Sequence, residues 1–282
     1  MPRADMPIIT PTAIKATHMA DQAEPPAPER SATTAHPSLP AADRRRPSSA
    51  PISVPEPVQS PVLPLMFWLS PAFPVGSFAY SHALEWAFGA GHIRDLATAS
   101  AWITDLIHHG GLRNDAILLA AAWRAASKTD RVALAATNEL ALALAGSRER
   151  HLETSAQGNA FAQAITTAWS SDTIEGLIAE FPGDLAYPVA VGLVAAAHAI
   201  HLEVALEAFC GATVSNLVSS IVRLGAIGQS DGQRLIAAVL PDVVALAALG
   251  ANATIDDLGG AAFQSDIATL RHETQYTRLF RS

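Results

Sequence analysis

From Leu63 onward apolar residues recur at three- and four-residue spacing, Ala and Leu dominate, and no run alternates β-branched with polar residues. That period predicts an all-α fold. Asp95 has the position of an N-cap and Gly110-Gly111 that of a stop around "LATASAWITDLIHH". Further helices are expected over 114–127, 130–145, 149–169 and 171–180. Phe181-Pro182-Gly183 ends the last of these, and Pro188 sits near the first turn of the next, where a missing N–H costs little. That helix is expected to reach about Cys210-Gly211, with another over 212–224, "ATVSNLVSSIVRL". Both are apolar enough to form the spine of a single-domain helical bundle spanning 61–282. Within "GAIGQSDGQRLIAAVLP" a glycine-bounded loop precedes a last core helix, with Ser230 and Gln233 in capping-box spacing and Pro241 as a break or restart.

The apolar period is missing from residues 1–60, which hold 12 of the 19 prolines. Such a segment buries too little surface to offset its ordering entropy, so a disordered Pro-rich arm is expected. Arg44-Arg45-Arg46 within it reads as solvated linker charge.

Composition narrows the partners. With 282 residues and 50% hydrophobic positions the chain is long enough for a substantial core. A net charge of −8 with only 16% charged residues lacks the basic stripe of a nucleic-acid binder, so no nucleic acid is expected. Cys210 is the only cysteine, which excludes an intramolecular disulfide and fits a reducing, cytoplasmic setting. The opening residues MPRADMPIIT carry no basic region followed by an apolar stretch, so no secretory signal is expected. The run "LAYPVAVGLVAAAHAIHL", 185–202, reaches the length of a membrane span, but its alanines, its two histidines and the following Glu203 and Glu207 predict a buried core helix. No membrane partner is expected.

Motifs for catalysis are silent. The Gly225–Gly232 region lacks the lysine of a P-loop, and no HExxH, GxSxG, CxxC or EF-hand spacing occurs. His82 with Glu85, and His198 with His201 and Glu203, have spacings that share a helical face. Two ligands do not make a site, and core or interface histidines are the simpler reading; a metal-assisted hydrolase built on His82, Glu85, His198 and Glu203 is the competing one. His108 and His109 fall in a last helical turn, where imidazole complements the terminal carbonyls. No catalytic, cofactor or metal-ligating residue is assigned.

Two segments have the composition of interfaces. In "SPAFPVGSFAYSHALEW", Pro71 and Pro74 set an extended approach, Gly76 permits a sharp entry, and Ser77 is placed to cap a helix from Phe78 to Phe88. On that helix Tyr80, Leu84, Ala87 and Phe88 would form one apolar stripe, with Phe78, Ser81, His82 and Glu85 on the other side. An aromatic among polar residues is the composition of a docking surface, and burial of Phe78 in the core is the alternative. At the other end, "FQSDIATLRHETQYTRLFRS" starts as a short helix with Ile267 and Leu270 and continues with Arg271, His272, Tyr276, Arg278 and Phe280. Arginine and aromatic enrichment favours partner docking; a tail folded back on its own domain is the alternative.

Five separated stretches, "SPAFPVGSFAYSHALE", "AQGNAF", "YPVAVG", "GQSDGQR" and "RHETQYTRLFRS", occur in the order seen in the urease accessory protein UreF family, which the chain resembles over about 65–282. The family usually has glycine where Ala83 stands, and residues 1–60 fall outside the resemblance. The resemblance implies an all-α, cytoplasmic homodimer without catalytic activity or cofactor. It implies an adaptor that joins UreD (also called UreH) and the GTPase UreG so that nickel reaches the urease apoprotein. Carried onto this sequence, the partner-binding residues are Phe78, Tyr80, His82, Glu85, Arg271, His272, Tyr276, Arg278 and Phe280.

Overall fold

A computed structural model describes residues 60–282, so all but the last residue of the expected arm, and with it Arg44-Arg45-Arg46, lies outside the described residues. Among the described residues there are helices and no strand. In chain order they are α1 (Val62–Trp68), a 3-10 turn (Ser77–Ala79), α2 (Leu84–Gly89), α3 (Leu96–His109), α4 (Gly111–Ser127), α5 (Arg131–Ala143) and α6 (Arg148–Ala168). There follow α7 (Asp172–Ile178), α8 (Tyr187–Ala197), α9 (Leu202–Arg223), α10 (Gln229–Asn252), a second 3-10 turn (Ile255–Asp257) and α11 (Phe263–His272). The all-α expectation holds.

Local chemistry explains four of the helix starts. Asp95 caps α3 in a reciprocal box with Thr98, while Asp130, Ser147 and Ser171 each accept a main-chain N–H at the starts of α5, α6 and α7. The core centres on α4 and α8, whose contact is the most extensive between any two helices. Small residues allow it: a Cβ at Gly192 would lie 2.4 Å from the carbonyl oxygen of Leu119, so the two backbones nearly touch there. Gly158 of α6 does the same against the segment entering α8, where a Cβ would lie 1.8 Å from the Leu185 oxygen. Asn159 and Asn138 then hold that segment, accepting from the N–H groups of Leu185 at 2.9 Å and Ala186 at 2.8 Å.

Four expectations are corrected. The long apolar stretch divides at His198–His201, not at Cys210-Gly211, and Gly211 lies inside α9. Ala199 takes a left-handed conformation, φ 54°, and Ile200 is buried with its carbonyl accepting from the Trp123 indole at 2.9 Å. Tertiary contacts therefore end α8 at a residue with no helix-breaking character. Ser230 is not a cap: α10 starts one residue earlier, after Gly228, and no side chain caps it. Pro241 neither breaks nor restarts α10, which runs through it. The fourth correction concerns the Phe78–Phe88 helix. Gly76 makes the sharp entry at φ 72°, but Ser77 caps nothing and helical structure lasts only to Ala79. Tyr80 is extended, His82 and Ala83 are left-handed at φ 54° and 59°, and α2 begins at Leu84.

Within the run 185–202, α8 covers Tyr187–Ala197 and is buried along most of its length. Two other helices, α9 and α10, are long and apolar enough by composition to cross a membrane; α9 buries Leu206, Phe209, Val214, Leu217 and Ile221 in the core.

Candidate functional site

The break between the 3-10 turn and α2 is filled by the end of the chain. The Arg281 N–H donates to the Ala79 oxygen at 2.8 Å, and the Ser81 N–H donates to the Ser282 oxygen at 2.8 Å, joined by the Ser81 hydroxyl. Those bonds satisfy main-chain groups that a continuous helix would have paired internally. The chain leaves helical geometry after Ala79, where the tail supplies partners to Ala79 and Ser81.

Glu85, in the first turn of α2, accepts from two successive tail N–H groups, Leu279 at 2.7 Å and Phe280 at 2.9 Å. His272, fully buried, places Nδ1 2.6 Å from Glu149 and Nε2 3.5 Å from Glu85. Arg278 pairs with the second oxygen of Glu149 and donates to the main-chain oxygens of Glu273 and Gln275. Glu273 accepts the Arg148 N–H at 2.7 Å. Two cationic or ring donors and three main-chain N–H groups thus converge on Glu85, Glu149 and Glu273, which ties the tail to the start of α6 and to α2.

Beneath this layer lies a second polar cluster. The Arg150 guanidinium is 2.6 Å from Glu153, the His82 ring nitrogen is 2.9 Å from the other Glu153 oxygen, and the Ser282 hydroxyl donates to Glu153 at 2.7 Å. Burial by itself raises a carboxyl, but the charge of Arg150, then the His82 ring and the Ser282 hydroxyl, outweigh it and hold Glu153 at about 2. For Asp115 the balance goes the other way: burial pushes it above the usual carboxylate range against the pull of Arg150 and His82. Asp115, Arg150, His82 and Thr154 line two cavities of about 310 and 300 Å³. Asp115 therefore keeps some surface open to cavity space while protein surrounds it.

The predicted residues separate into three environments. Phe78 is 61% exposed, whereas Tyr80 is buried at 2%. His82, Glu85, His272, Arg278 and Phe280 meet in the tail-binding layers just described, with Phe280 4% exposed. Arg271 and Tyr276 stand on the surface, Tyr276 fully exposed. The apolar stripe survives at Tyr80, Leu84 and Ala87, but Ser81, expected on the opposite polar side, is fully buried. In this structure the tail is folded back on its own domain. What it leaves outward is apolar: Phe263, Ile267 and Leu270 form an exposed row on α11, while Ser265, Ala268, Thr269 and His272 face inward.

Asp115, Glu149, Arg150 and Glu153 carry no signal of a site in the sequence. Glu149, Arg150 and Glu153 share α6, where charges at three- and four-residue spacing ordinarily read as a solvated face. The four-residue hydrolase alternative does not assemble, because His82 meets Glu153 while the His198 ring packs 4.9 Å from Trp68. Among the described residues no group of three or more His, Cys, Asp or Glu is arranged to hold a metal ion.

The UreF family model matches residues 93–240. Among curated proteins, the urease accessory protein UreF of Methylobacterium radiotolerans is 51% identical over 220 residues, covering 78% of this chain and 96% of that protein. UreF of Rhodopseudomonas palustris strain HaA2 is 51% identical over 218 residues, covering 77% and 92%. That of Xanthobacter autotrophicus is 52% identical over 221 residues, covering 78% and 91%.

Proposed function

The chain belongs to the UreF family of urease accessory proteins, and from that premise we propose that it acts as a non-catalytic adaptor joining UreD and the GTPase UreG so that nickel is delivered to apo-urease. Its membership implies a role in urease maturation. The observation that carries the finer reading is the tail seated on the Phe78 turn, α2 and the start of α6. Main-chain groups of two distant segments complete each other there, so the surface bearing Phe78 and Arg278 is composite and exists only with the tail in place. Exposed apolar side chains flank it, namely Phe78 on the turn, Leu279 on the tail and the α11 row Phe263, Ile267 and Leu270. Such side chains stay exposed at a cost of roughly 25 cal/mol per Å² unless a partner covers them, which supports docking of UreD, of UreG and of a second copy in a homodimer.

The experiment is reconstitution. Purified chain is mixed with UreD and UreG, and copurification, GTPase rate and activation of apo-urease by nickel are read. The adaptor reading expects all three proteins in one complex and no GTPase or urease activity in the isolated chain. Failure to bind either protein under conditions where urease is activated would remove it.

A further inference from the structure

α1 is seven residues long, no side chain caps it, and it buries only Pro64, Leu65 and Trp68. Its outer side carries Val62, Leu63, Met66 and Phe67, all exposed. Trp68 is the largest of the anchors, with its ring edge-on to Phe161 at 6.4 Å and to Trp169 at 5.5 Å and tilted against His198 at 4.9 Å. Within this aromatic cluster two polar atoms, Trp68 Nε1 and His198 Nε2, are buried without a hydrogen-bond partner among the described residues. A neutral imidazole can leave one nitrogen as an unpaired acceptor, whereas an imidazolium carries an N–H on both and a charge besides. Protonating His198 therefore puts a donor and part of a charge at an atom that protein covers and nothing accepts from.

No charge packed against the ring compensates. α1 and α8 contain no Asp, Glu, Lys, Arg or His, and α6 has none after Glu153. Tyr187, whose ring meets Phe161 at 5.8 Å, is the one titratable group of α8, and burial pushes its phenol up so that it stays neutral. The ionisable groups closest in the chain, Asp172 at the start of α7 and His201 and Glu203 at the start of α9, are exposed. Burial accordingly holds His198 below its ordinary value of 6.5, against an opposing pull from the Trp169 main chain. The turn behind the ring is fixed, with Ala199 left-handed at φ 54° and the Ile200 carbonyl held by the Trp123 indole. Relief has to come from the α1 side, where moving Trp68 opens Nε2 to water.

We propose that Trp68 and His198 form an acid-sensitive latch, in which neutral His198 keeps Trp68 seated and α1 on the bundle, and protonated His198 releases α1 together with its outward apolar row. The sign follows from linkage. With α1 released the ring meets water and takes up its proton at the ordinary value, so seating is undiminished above 6.5 and weakens as pH falls below it. The latch belongs to this chain alone and stands apart from the adaptor reading.

Amide hydrogen exchange of the full chain, expressed as protection so that the pH dependence of the exchange chemistry cancels, tests it. The Leu69 amide, bonded to the Leu65 oxygen at 3.0 Å, and the Trp68 indole N–H report α1, while α4 amides report the fold. Between about pH 8 and about pH 5, protection at Leu69 is expected to fall by up to about tenfold per pH unit once below the ordinary histidine value, since one proton is taken up on release. Protection of α4 is expected to persist. His198→Phe keeps an aromatic ring with no proton to take up, and His198→Gln does the same with a smaller polar side chain; in both, Leu69 protection is expected to stay level over that range. His201→Gln is expected to respond to pH as the unaltered chain does, and an NMR titration is expected to place the His198 midpoint below 6.5. Level protection at Leu69 in the unaltered chain, or a pH response that persists in either His198 variant, would overturn the latch. So would a His198 midpoint at or above 6.5, which attraction of an imidazolium to the Trp68 face would produce.

Discussion

Ala83 holds a left-handed conformation in which its Cβ crowds the carbonyl, a cost of about 1–2 kcal/mol that glycine avoids. Glycine gives up the buried methyl and a more restricted unfolded chain in exchange, so Ala83→Gly is expected to stabilise by up to about 1 kcal/mol, read as a higher urea midpoint. A lower midpoint would mean that packing of the methyl outweighs the backbone strain. Arg278 has a different setting from the one its place in sequence implies. Composition near a chain end predicts a side chain free for partners, but here it holds Glu149 and two tail carbonyls. Arg278→Ala is therefore expected to leave the melting temperature of the bundle within a few degrees while releasing the tail, seen as faster exchange at Leu279 and Phe280, and to weaken UreG recruitment as a result. Local loss of about 1–3 kcal/mol corresponds to charge-assisted bonds in a partly exposed site. Unchanged exchange at both amides would show that Glu85 and His272 suffice to hold the tail.

At the scale of elements, the stretches that mark the family have packing reasons. "AQGNAF" contains Gly158, which lets α6 reach the Leu185 backbone, and Asn159, which binds the Leu185 N–H; "YPVAVG" ends in Gly192, the point of closest approach to α4. Gly158→Ala should cost about 3 kcal/mol or more, since the blocking atom is main-chain oxygen and a whole helix must move. Gly176 in α7 is the control: a Cβ there meets nothing within 4 Å, so Gly176→Ala should be stabilising by about 0.5–1 kcal/mol through helix propensity. Thermal melts of both proteins check the pair, and equal effects would show that the α6 approach is looser than described. Helix identity was legible from period and caps, as at Asp95 and Gly110. The α8–α9 division was not, because Ala199 and Ile200 look like helix interior and only packing around Ile200 turns the chain there.

At the scale of the whole molecule, acid is expected to loosen the joint between the tail and the bundle. Glu153 has an ordinary value of 4.5 and is held at about 2 in the fold, so its stabilising contribution is complete above pH 4.5 and is lost as pH falls toward 2. Asp115 has the opposite sign: held above its ordinary 3.8, it favours folding below that value and opposes it as pH rises. Denaturant unfolding followed from pH 6 to about 2 should therefore show a decline that Glu153→Gln flattens, whereas Asp115→Asn should raise stability at neutral pH. A Glu153→Gln protein with an undiminished acid decline would place the sensitivity in other carboxylates. The coupling of remote segments is why these charges escaped notice in the sequence. Glu153 and Ser282 are 129 residues apart and bond directly.

The order of apolar and polar residues by itself determined that this chain is a helical bundle, where most of its helices begin, and that residues 70–86 and 263–282 concentrate aromatic and charged side chains. These are local properties, since a 3.6-residue period, a cap or an arginine-rich composition is set by neighbours in the chain. Only the tertiary structure decided what those stretches do to each other. The chain leaves the helix between Ala79 and Leu84 because the Ala79 carbonyl and Ser81 find partners at Arg281 and Ser282, and Glu149 and Glu153 of α6 face inward because the tail brings a histidine, an arginine and a hydroxyl to them. Hydrogen bonding between segments two hundred residues apart outcompetes local helix propensity, which is worth only about 1 kcal/mol per residue or less for any residue but proline.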